Sequence, residues 1–345
     1  MVSASDKEKF FYNAVWNTIG CNHREAAKLK AKNASWEKIF AGLKNDEKII
    51  DPEEEWQKLG KYNIKMIFSD EPDFPEFLRE IYWPPLAIYV KGEKEFLKNP
   101  AVAVVGTRKA TEDGLEIARQ FGRELAEAGI TVASGLAFGI DSAAHKGCLD
   151  AGGKTAAVLA CGLDNIYPKS NERLAEEIIA AGGALISEYP PGIPPLPHRF
   201  IERNRIVSGL SLGTVVIEAP EASGALATAR FASEQNREVF VVPGPAGHRN
   251  FSGSHRLIRS GARLVSKPAD VLEDLNLTEP SMEKDYGKTG EEKIILEILS
   301  NSVEPLGIDK IAEMAELESR VANQAITLLL LKNEIKEEGE GYIII

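Results

Sequence analysis

"AVAVVGTRKATEDGLEIARQFGRELAEAGITVASG", residues 101–135, reads as strand, helix, strand. Ala101–Gly106 is an unbroken apolar run, residues 112–129 carry helical periodicity, and residues 130–135 turn apolar again. A strand apolar at every position is tolerated only where both of its faces are covered. A connecting segment long enough to form a helix returns the chain to a parallel neighbour.

Outward from this unit the pattern repeats. "TAAVLACG" (155–162), "ALISEY" (184–189), "GTVVIEA" (213–219), "EVFVVPG" (238–244) and "ARLVS" (262–266) read as further strands, with helical stretches such as "GIDSAAHKGCLDAGG" (139–153) and "NERLAEEIIAAGG" (171–183) between them. Upstream, "LAIYVKG" (86–92) follows Pro84 and Pro85 and reads as one more strand. The expectation is an α/β fold, a doubly wound parallel sheet spanning residues 63–276.

Both flanks differ from this centre. Residues 1–62 hold short amphipathic helices: "KEKFFYNAVWNTIG", "NHREAAKLKAK" behind an asparagine placed to cap it, and "ASWEKIFAGL". Residues 277–290 are polar and carry Pro and Gly, as a linker does. Residues 291–345 read as three helices and a short hairpin, the order of a winged helix-turn-helix module.

Composition narrows the function classes. The chain has 345 residues and a net charge of −11, which opposes non-specific attraction to nucleic acid through the overall field. Charge is segregated, however. Residues 243–267 carry five cations and no acid, whereas residues 291–345 carry five cations and twelve acids. No apolar run is long enough to span a bilayer and the N-terminus lacks a signal-peptide pattern, so a cytoplasmic protein without a membrane partner is expected. Cys21, Cys148 and Cys161 have no paired spacing and read as small buried hydrophobes, and the five histidines do not cluster, so no metal is expected.

In an open parallel sheet the ligand lies beyond the carboxyl ends of the strands. Those ends carry Gly106, Thr107 and Arg108, then Ser134 and Gly135, then Lys169 after Tyr167 and Pro168. Glycines and free helix-start amides at such ends suit a phosphate. No G-x-G-x-x-G follows the first strand and no P-loop is present, which disfavours a nicotinamide or ATP cofactor; none is expected. "HRFIERNRIVSGL" (198–210) adds Phe200, Arg203, Asn204 and Arg205, with Arg199 and a single acid, Glu202. Cations interleaved with an aromatic ring fit unpaired nucleic acid, whose backbone needs neutralising and whose bases offer their faces. For catalysis the candidates are His145 four residues after Asp141, and a carboxylate pair of Glu188 and Glu218. A buried hydrogen bond or cap is the more ordinary use of the first pair, and no catalytic residue is assigned.

Seven ordered blocks make the chain similar to the DprA/Smf family of DNA-processing proteins: "VAVVGTR", "SGLAFGIDSAAH", "GLDNIYPKSN", "ISEYPPG", "RNRIVSGLS", "EAPEASGALATARFA", and "VFVVPG" with "SGSHRLIRSGA". The resemblance spans nearly all of residues 65–275. It implies a Rossmann-like domain, a helical SAM-like module before it and a winged helix after it. It also implies a single-stranded DNA-binding protein that protects incoming DNA in natural transformation, loads RecA and forms a homodimer through the Rossmann-like domain. The family's DNA pocket falls on Arg108, Lys169 and Arg203 to Arg205. Ile201, Ala225 and His255 depart from the usual family residues. A nucleotide N-glycoside hydrolase of a related fold is the alternative, although "VVPGPAGH" lacks the P-G-G-x-G-T turn of those enzymes. The acidic C-terminal module, whose third helix offers only Arg320 and Lys332 as cations, is expected to contact protein rather than DNA.

Overall fold

The computed structural model describes residues 4–33, 35–43, 50–277, 290–302, 305–331, 334–339 and 341–344. The chain divides into two compact units, Met1–Leu277 and Thr278–Ile345.

Four helices open the first unit: α1 (Ala4–Thr18), α2 (His23–Lys32), α3 (Trp36–Leu43) and α4 (Pro52–Lys61). The asparagine read as a cap does cap α2, since Asn22 Oδ1 accepts from the Glu25 amide at 3.2 Å. Asp51 caps α4 in the same way ahead of Pro52, whose fixed φ suits a first turn.

The sheet follows: β1 (Lys65–Phe68), the short helix α5 (Glu76–Arg79), β2 (Ala87–Gly92), β3 (Ala101–Gly106), α6 (Glu112–Glu127), β4 (Thr131–Ser134), α7 (Ile140–Asp150), β5 (Thr155–Leu159), α8 (Glu172–Ala180), β6 (Ala184–Ser187), α9 (Pro197–Gly209), β7 (Gly213–Ile217), α10 (Gly224–Glu234), β8 (Glu238–Val241), α11 (Ser252–Arg259), β9 (Arg263–Leu264) and α12 (Pro268–Asp274). Its nine strands lie in the order β1-β2-β6-β5-β4-β3-β7-β8-β9. Pairing from β6 through to β9 is parallel, as the apolar runs predict. The β1–β2 and β2–β6 pairs are antiparallel.

Alternate residues of the central strands feed opposite cores. Val102 and Val104 pack with α6 and α7, while Ala103 and Val105 pack with α9 and α10. Helices therefore lie on both faces, the doubly wound arrangement. The N-terminal helices share their core with the sheet: Tyr12, Trp16 and Phe40 cluster with Tyr89, Leu159 and Leu185. From β3 the chain steps through β4 and β5 to β6; α9 then carries it back to β7 on the other side of β3. The winding direction reverses between β3 and β7, and their carboxyl ends open a crevice there. Among the described residues no helix is long and apolar enough to cross a membrane.

The second unit holds α13 (Gly290–Ser300), α14 (Ile308–Met314), α15 (Ser319–Leu331) and an antiparallel hairpin of β10 (Ile335–Glu338) and β11 (Gly341–Ile344). Its small core gathers Ile295, Ile311, Ile326, Leu329 and Ile335. The linker read at 277–290 falls almost entirely at 278–289, outside the described residues, as does Lys332.

Candidate nucleic-acid interface

A hollow of about 430 Å³ occupies the crevice between β3 and β7. Its walls come from the β3–α6 loop (Gly106 to Lys109), the β4–α7 loop with Asp141, the exposed side of α9, and the loop that starts α10. Seven of the ten residues singled out from the sequence meet here: Gly106, Thr107, Arg108, Gly135, Phe200, Arg203 and Asn204. Ser134, Lys169 and Arg205 do not line it.

Phe200 is the centre of the arrangement. The exposed Arg108 lays its guanidinium over the ring at 5.3 Å from the centroid, and Arg203 approaches it at 6.0 Å. Tyr167 meets the same ring edge-on, at 5.5 Å between centroids. An aromatic face flanked by guanidinium groups is a stacking platform with positive charge beside it. Tyr167 is 44% exposed, and Phe138, in the loop that forms the β4 side of the hollow, is 48% exposed. Tyr167 carries the platform's chemistry outward through its contact with Phe200, Phe138 is an exposed ring on the neighbouring loop, and neither was among the residues singled out. The signal was present in their blocks, "GLAFGID" and "NIYPK", as large apolar residues inside glycine- and proline-rich turns, where burial is not expected.

The basic stretch on α9 faces inward more than its composition suggests. Arg199 donates to the Pro194 carbonyl oxygen at 2.6 Å and sits over Tyr189. Arg203 is 4% exposed and donates to the carbonyl oxygens of Gly135, at 2.8 Å, and Val158. Arg205, 1% exposed, pairs with Glu188 at 2.5 Å and lies under Trp83. Buried guanidinium groups call for partners: backbone carbonyls around the strand ends take Arg199 and Arg203, and the Glu188 carboxylate takes one nitrogen of Arg205. Arg205 therefore leaves the set of side chains able to reach a strand in the hollow. Ser134 leaves it too, because its buried hydroxyl donates to the Val104 carbonyl at 2.7 Å.

Lys169 begins a 3-10 turn (Lys169–Asn171) and its exposed ammonium pairs with Glu172 at 2.8 Å. That turn is pinned to the β4–α7 loop by Asn171, which donates to the Leu136 carbonyl oxygen at 2.8 Å and the Ser142 hydroxyl at 2.9 Å. Lys169 thus stands on the loop whose Tyr167 touches Phe200, outside the hollow proper.

The strand-end glycines and amides serve the protein rather than an open phosphate cradle. A Cβ on Gly106 would collide with the Ile217 carbonyl oxygen, and one on Gly135 would lie 2.7 Å from Arg203 Nη2 and 2.8 Å from Asp141 Oδ2. The Thr107 amide donates to the Glu218 carbonyl oxygen at 2.8 Å; those of Gly135 and Ala137 donate to Asp141 at 3.1 and 3.4 Å. Burial raises the Asp141 carboxyl above its usual range, opposed by Arg203, these two amides and Arg108. With Asp141 and Arg203 offsetting each other in the wall, the exposed Arg108 and Lys109 carry the hollow's positive charge.

The other titratable candidates are engaged in structure. His145 is fully buried, with Nδ1 2.7 Å from the Thr155 hydroxyl. That hydroxyl gives its proton to the Val132 carbonyl, so His145 donates from Nδ1. Burial holds its pKa down at about 3. Asp141 bonds to the loop amides instead, so the two share a helix face without forming a pair. Glu218, also buried, accepts from the Thr111 amide at 3.0 Å, from the Thr111 hydroxyl and from Asn250 Nδ2 at 2.8 Å. It does so from a left-handed backbone at φ +50°, and Leu136 at the end of β4 adopts φ +56°. Such strain at non-glycine positions gathers where a fold holds loops in one geometry. Neither Glu188 nor Glu218 lines the hollow. Of the three departures, Ile201 and Ala225 line it, while His255 bonds the Gly244 carbonyl at 3.0 Å outside it.

Comparison with known proteins places residues 65–276 in the family DNA recombination-mediator protein A. The chain is 46% identical over 213 residues to Protein Smf of Escherichia coli K12, covering 62% of this chain and 57% of that protein, so it spans under two thirds of that relative's length. It is 42% identical over 218 residues to DNA processing protein DprA of Streptococcus pneumoniae, 63% of this chain and 75% of that one. The solved structure of the pneumococcal protein aligns with a TM-score of 0.60, covering 65% of this chain and 78% of its own. A structure concerned with the single-stranded DNA binding mode of DNA processing protein A from Helicobacter pylori aligns with a TM-score of 0.56 at 29% identity, covering 62% and 96%.

Proposed function

This chain belongs to the DNA recombination-mediator protein A (DprA/Smf) family, and from that premise we propose that it binds single-stranded DNA at the β3–β7 crevice, in a DNA-processing role in natural transformation. The observation that carries this reading is the exposed Arg108 guanidinium laid on the Phe200 ring at the rim of the hollow. A phosphodiester takes the charge of Arg108 and Lys109, and an unpaired base takes the face of Phe200, with Tyr167 and Phe138 extending the platform. Duplex DNA keeps its bases stacked on one another and offers this platform nothing. The site works by positioning and charge, and the reading requires no catalytic group.

Family membership supports the finer parts of the proposal: protection of incoming strands, loading of RecA recombinase onto them in the cytoplasm, and a homodimer formed through the Rossmann-like domain. We read the N-terminal helices as the family's SAM-like module and residues 291–345 as its winged helix, whose acidic surface suits a protein partner better than a phosphate backbone. Gel-shift titration with unpaired and duplex oligonucleotides at two salt concentrations tests the site. Wild-type protein is expected to prefer the unpaired strand and to weaken steeply with salt. Arg108→Ala is expected to lose about tenfold in affinity, the worth of one charge-assisted phosphate contact, at an unchanged melting temperature. Equal affinity for duplex, or an Arg108→Ala variant that binds as wild type does, refutes the proposal.

A further inference from the structure

A second cavity, of about 840 Å³, lies between α2, the segment preceding β2, and the C-terminal end of α10. It is joined to the first hollow through one helix. Gly224, Ala225 and Thr228 of α10 line the first hollow; Phe231, Glu234 and Gln235 line the second. These residues recur at three- and four-residue intervals, so they share one side of α10. That side is laced to α9 at both ends, where Asn204 donates to the Gly224 carbonyl at 3.2 Å and Gln235 donates to the Arg205 carbonyl at 2.9 Å. Eleven residues at 1.5 Å each make α10 about 16 Å long, with the first hollow along its N-terminal half and the second along its C-terminal half.

The chemistry of the second cavity repeats that of the first. Tyr82 stands 97% exposed at its edge, and beside it Trp83 lies over the buried Arg205 guanidinium at 4.3 Å. Of that guanidinium, only Nη2 reaches Glu188; Nε and Nη1 have no hydrogen-bond partner among the described residues. Positive charge comes from α2. Arg24 lines the cavity and Lys28 follows it one turn later on the same exposed side, with the small Ala27 between them. Like charges four residues apart weaken a helix, and neither has an ion-pair partner among the described residues. Glu234, the one acid in the wall, pairs with Arg230 at 3.5 Å, and Glu188 offsets Arg205, so the surplus charge around the cavity is positive.

The geometry points to a second single-stranded DNA subsite here: a base on Tyr82 and Trp83, and the adjoining phosphates on Arg24 and Lys28, with α10 spanning the distance from the Arg108–Phe200 platform. This rests on the proposed function of the first hollow and adds the path the strand takes away from it. A strand long enough to run the length of α10 engages both sites; a shorter one fills only the first.

Fluorescence anisotropy with labelled oligothymidylates of about 4 and about 20 residues separates the two. Tyr82→Ala and the double variant Arg24→Glu/Lys28→Glu change exposed side chains, so melting temperatures near wild type are expected. Each should weaken binding of the long strand about tenfold and leave the short strand unchanged. The salt slope for the long strand should shrink by about 1.4 in the double variant, two phosphate contacts at about 0.7 each. Unchanged long-strand affinity in both variants overturns this inference and leaves the first hollow standing, including the case in which the cavity takes a protein side chain instead. Wild-type protein that binds neither length overturns the reading of the first hollow and this one with it.

Discussion

Arg199, Arg203 and Arg205 lie within seven residues of one helix, yet each guanidinium is buried against different interior partners. Arg108, which follows a strand and has no such partners, is the guanidinium left to solvent beside Phe200. The difference lies in where the backbone points each side chain, since α9 packs against the sheet while the β3–α6 loop does not. His145 is a second case of a polar residue absorbed by the interior. Its folded pKa of about 3 lies below the unfolded value of about 6.5, so the unfolded chain takes up a proton that the folded chain refuses. The stability this represents is complete above about pH 6.5 and is lost as pH falls towards 3, at up to about 1.4 kcal/mol per pH unit. Urea unfolding of wild type and His145→Leu at pH 7 and pH 5 should show a pH-dependent loss smaller by about 2 kcal/mol in the variant; parallel losses would contradict this.

At the scale of elements, the crevice depends on how β3 and β7 end. Thr111 caps α6 by accepting from the Gly114 amide at 3.0 Å, and its hydroxyl proton goes to Glu218 at the end of β7. One threonine therefore ties the first strand's loop to the strand across the switch point. Asn250 binds both Glu218 and, at 3.0 Å, the Lys109 carbonyl, closing the tie from the β8 side. Thr111→Ala removes the cap and leaves the buried Glu218 short of a donor. A loss of about 2 kcal/mol in chemical denaturation is expected, above the roughly 1 kcal/mol usual for a cap alone, together with weaker single-strand binding as the Arg108 loop loosens. A loss no larger than an ordinary cap's would mean the tie to Glu218 contributes nothing.

Across the whole molecule, charge segregation along the chain does not survive folding intact. The acid-free run at 243–267 meets acids from elsewhere: Arg256 faces Glu221 at 3.8 Å, and Arg263 pairs with Glu238 at 3.1 Å and Asp274 at 2.8 Å. The second unit keeps its own core and its acidic surplus. A chain ending at residue 277 should therefore melt within a few degrees of the full protein's main transition and bind unpaired oligonucleotides within about twofold of it, as expected of an independent domain. Differential scanning calorimetry with the same titration checks this, and a truncated chain that fails to fold or loses most of its affinity would show that the C-terminal unit supports the first.

Strands β3 to β8 and the crossover helices α6 to α8 were legible in the sequence, because a strand buried on both faces is apolar along its length and a parallel return needs a helix. β2 was read from its apolar run after Pro84 and Pro85, and β9, read from "ARLVS", is two residues long and exposed. The reversal point was not: strand ends follow from strand positions, but the order that sets β7 beside β3 is decided by pairing between segments distant in the sequence. The four-residue β1 was not, being too short to show a period and held only by antiparallel pairing with β2. Nor were α4, rich in charge, and α10, rich in alanine and small polar residues, whose burial is set by partners distant in sequence. For the site, residue identity brought Arg108, Phe200 and Arg203 into one candidate set. Only the packed structure separated the exposed Arg108 from the buried Arg203 and Arg205, added Tyr167 and Phe138, and showed the strand-end amides already engaged. The period of a segment is a local property of the chain, whereas the partner a charge or an amide finds is decided by which distant segments fold against it.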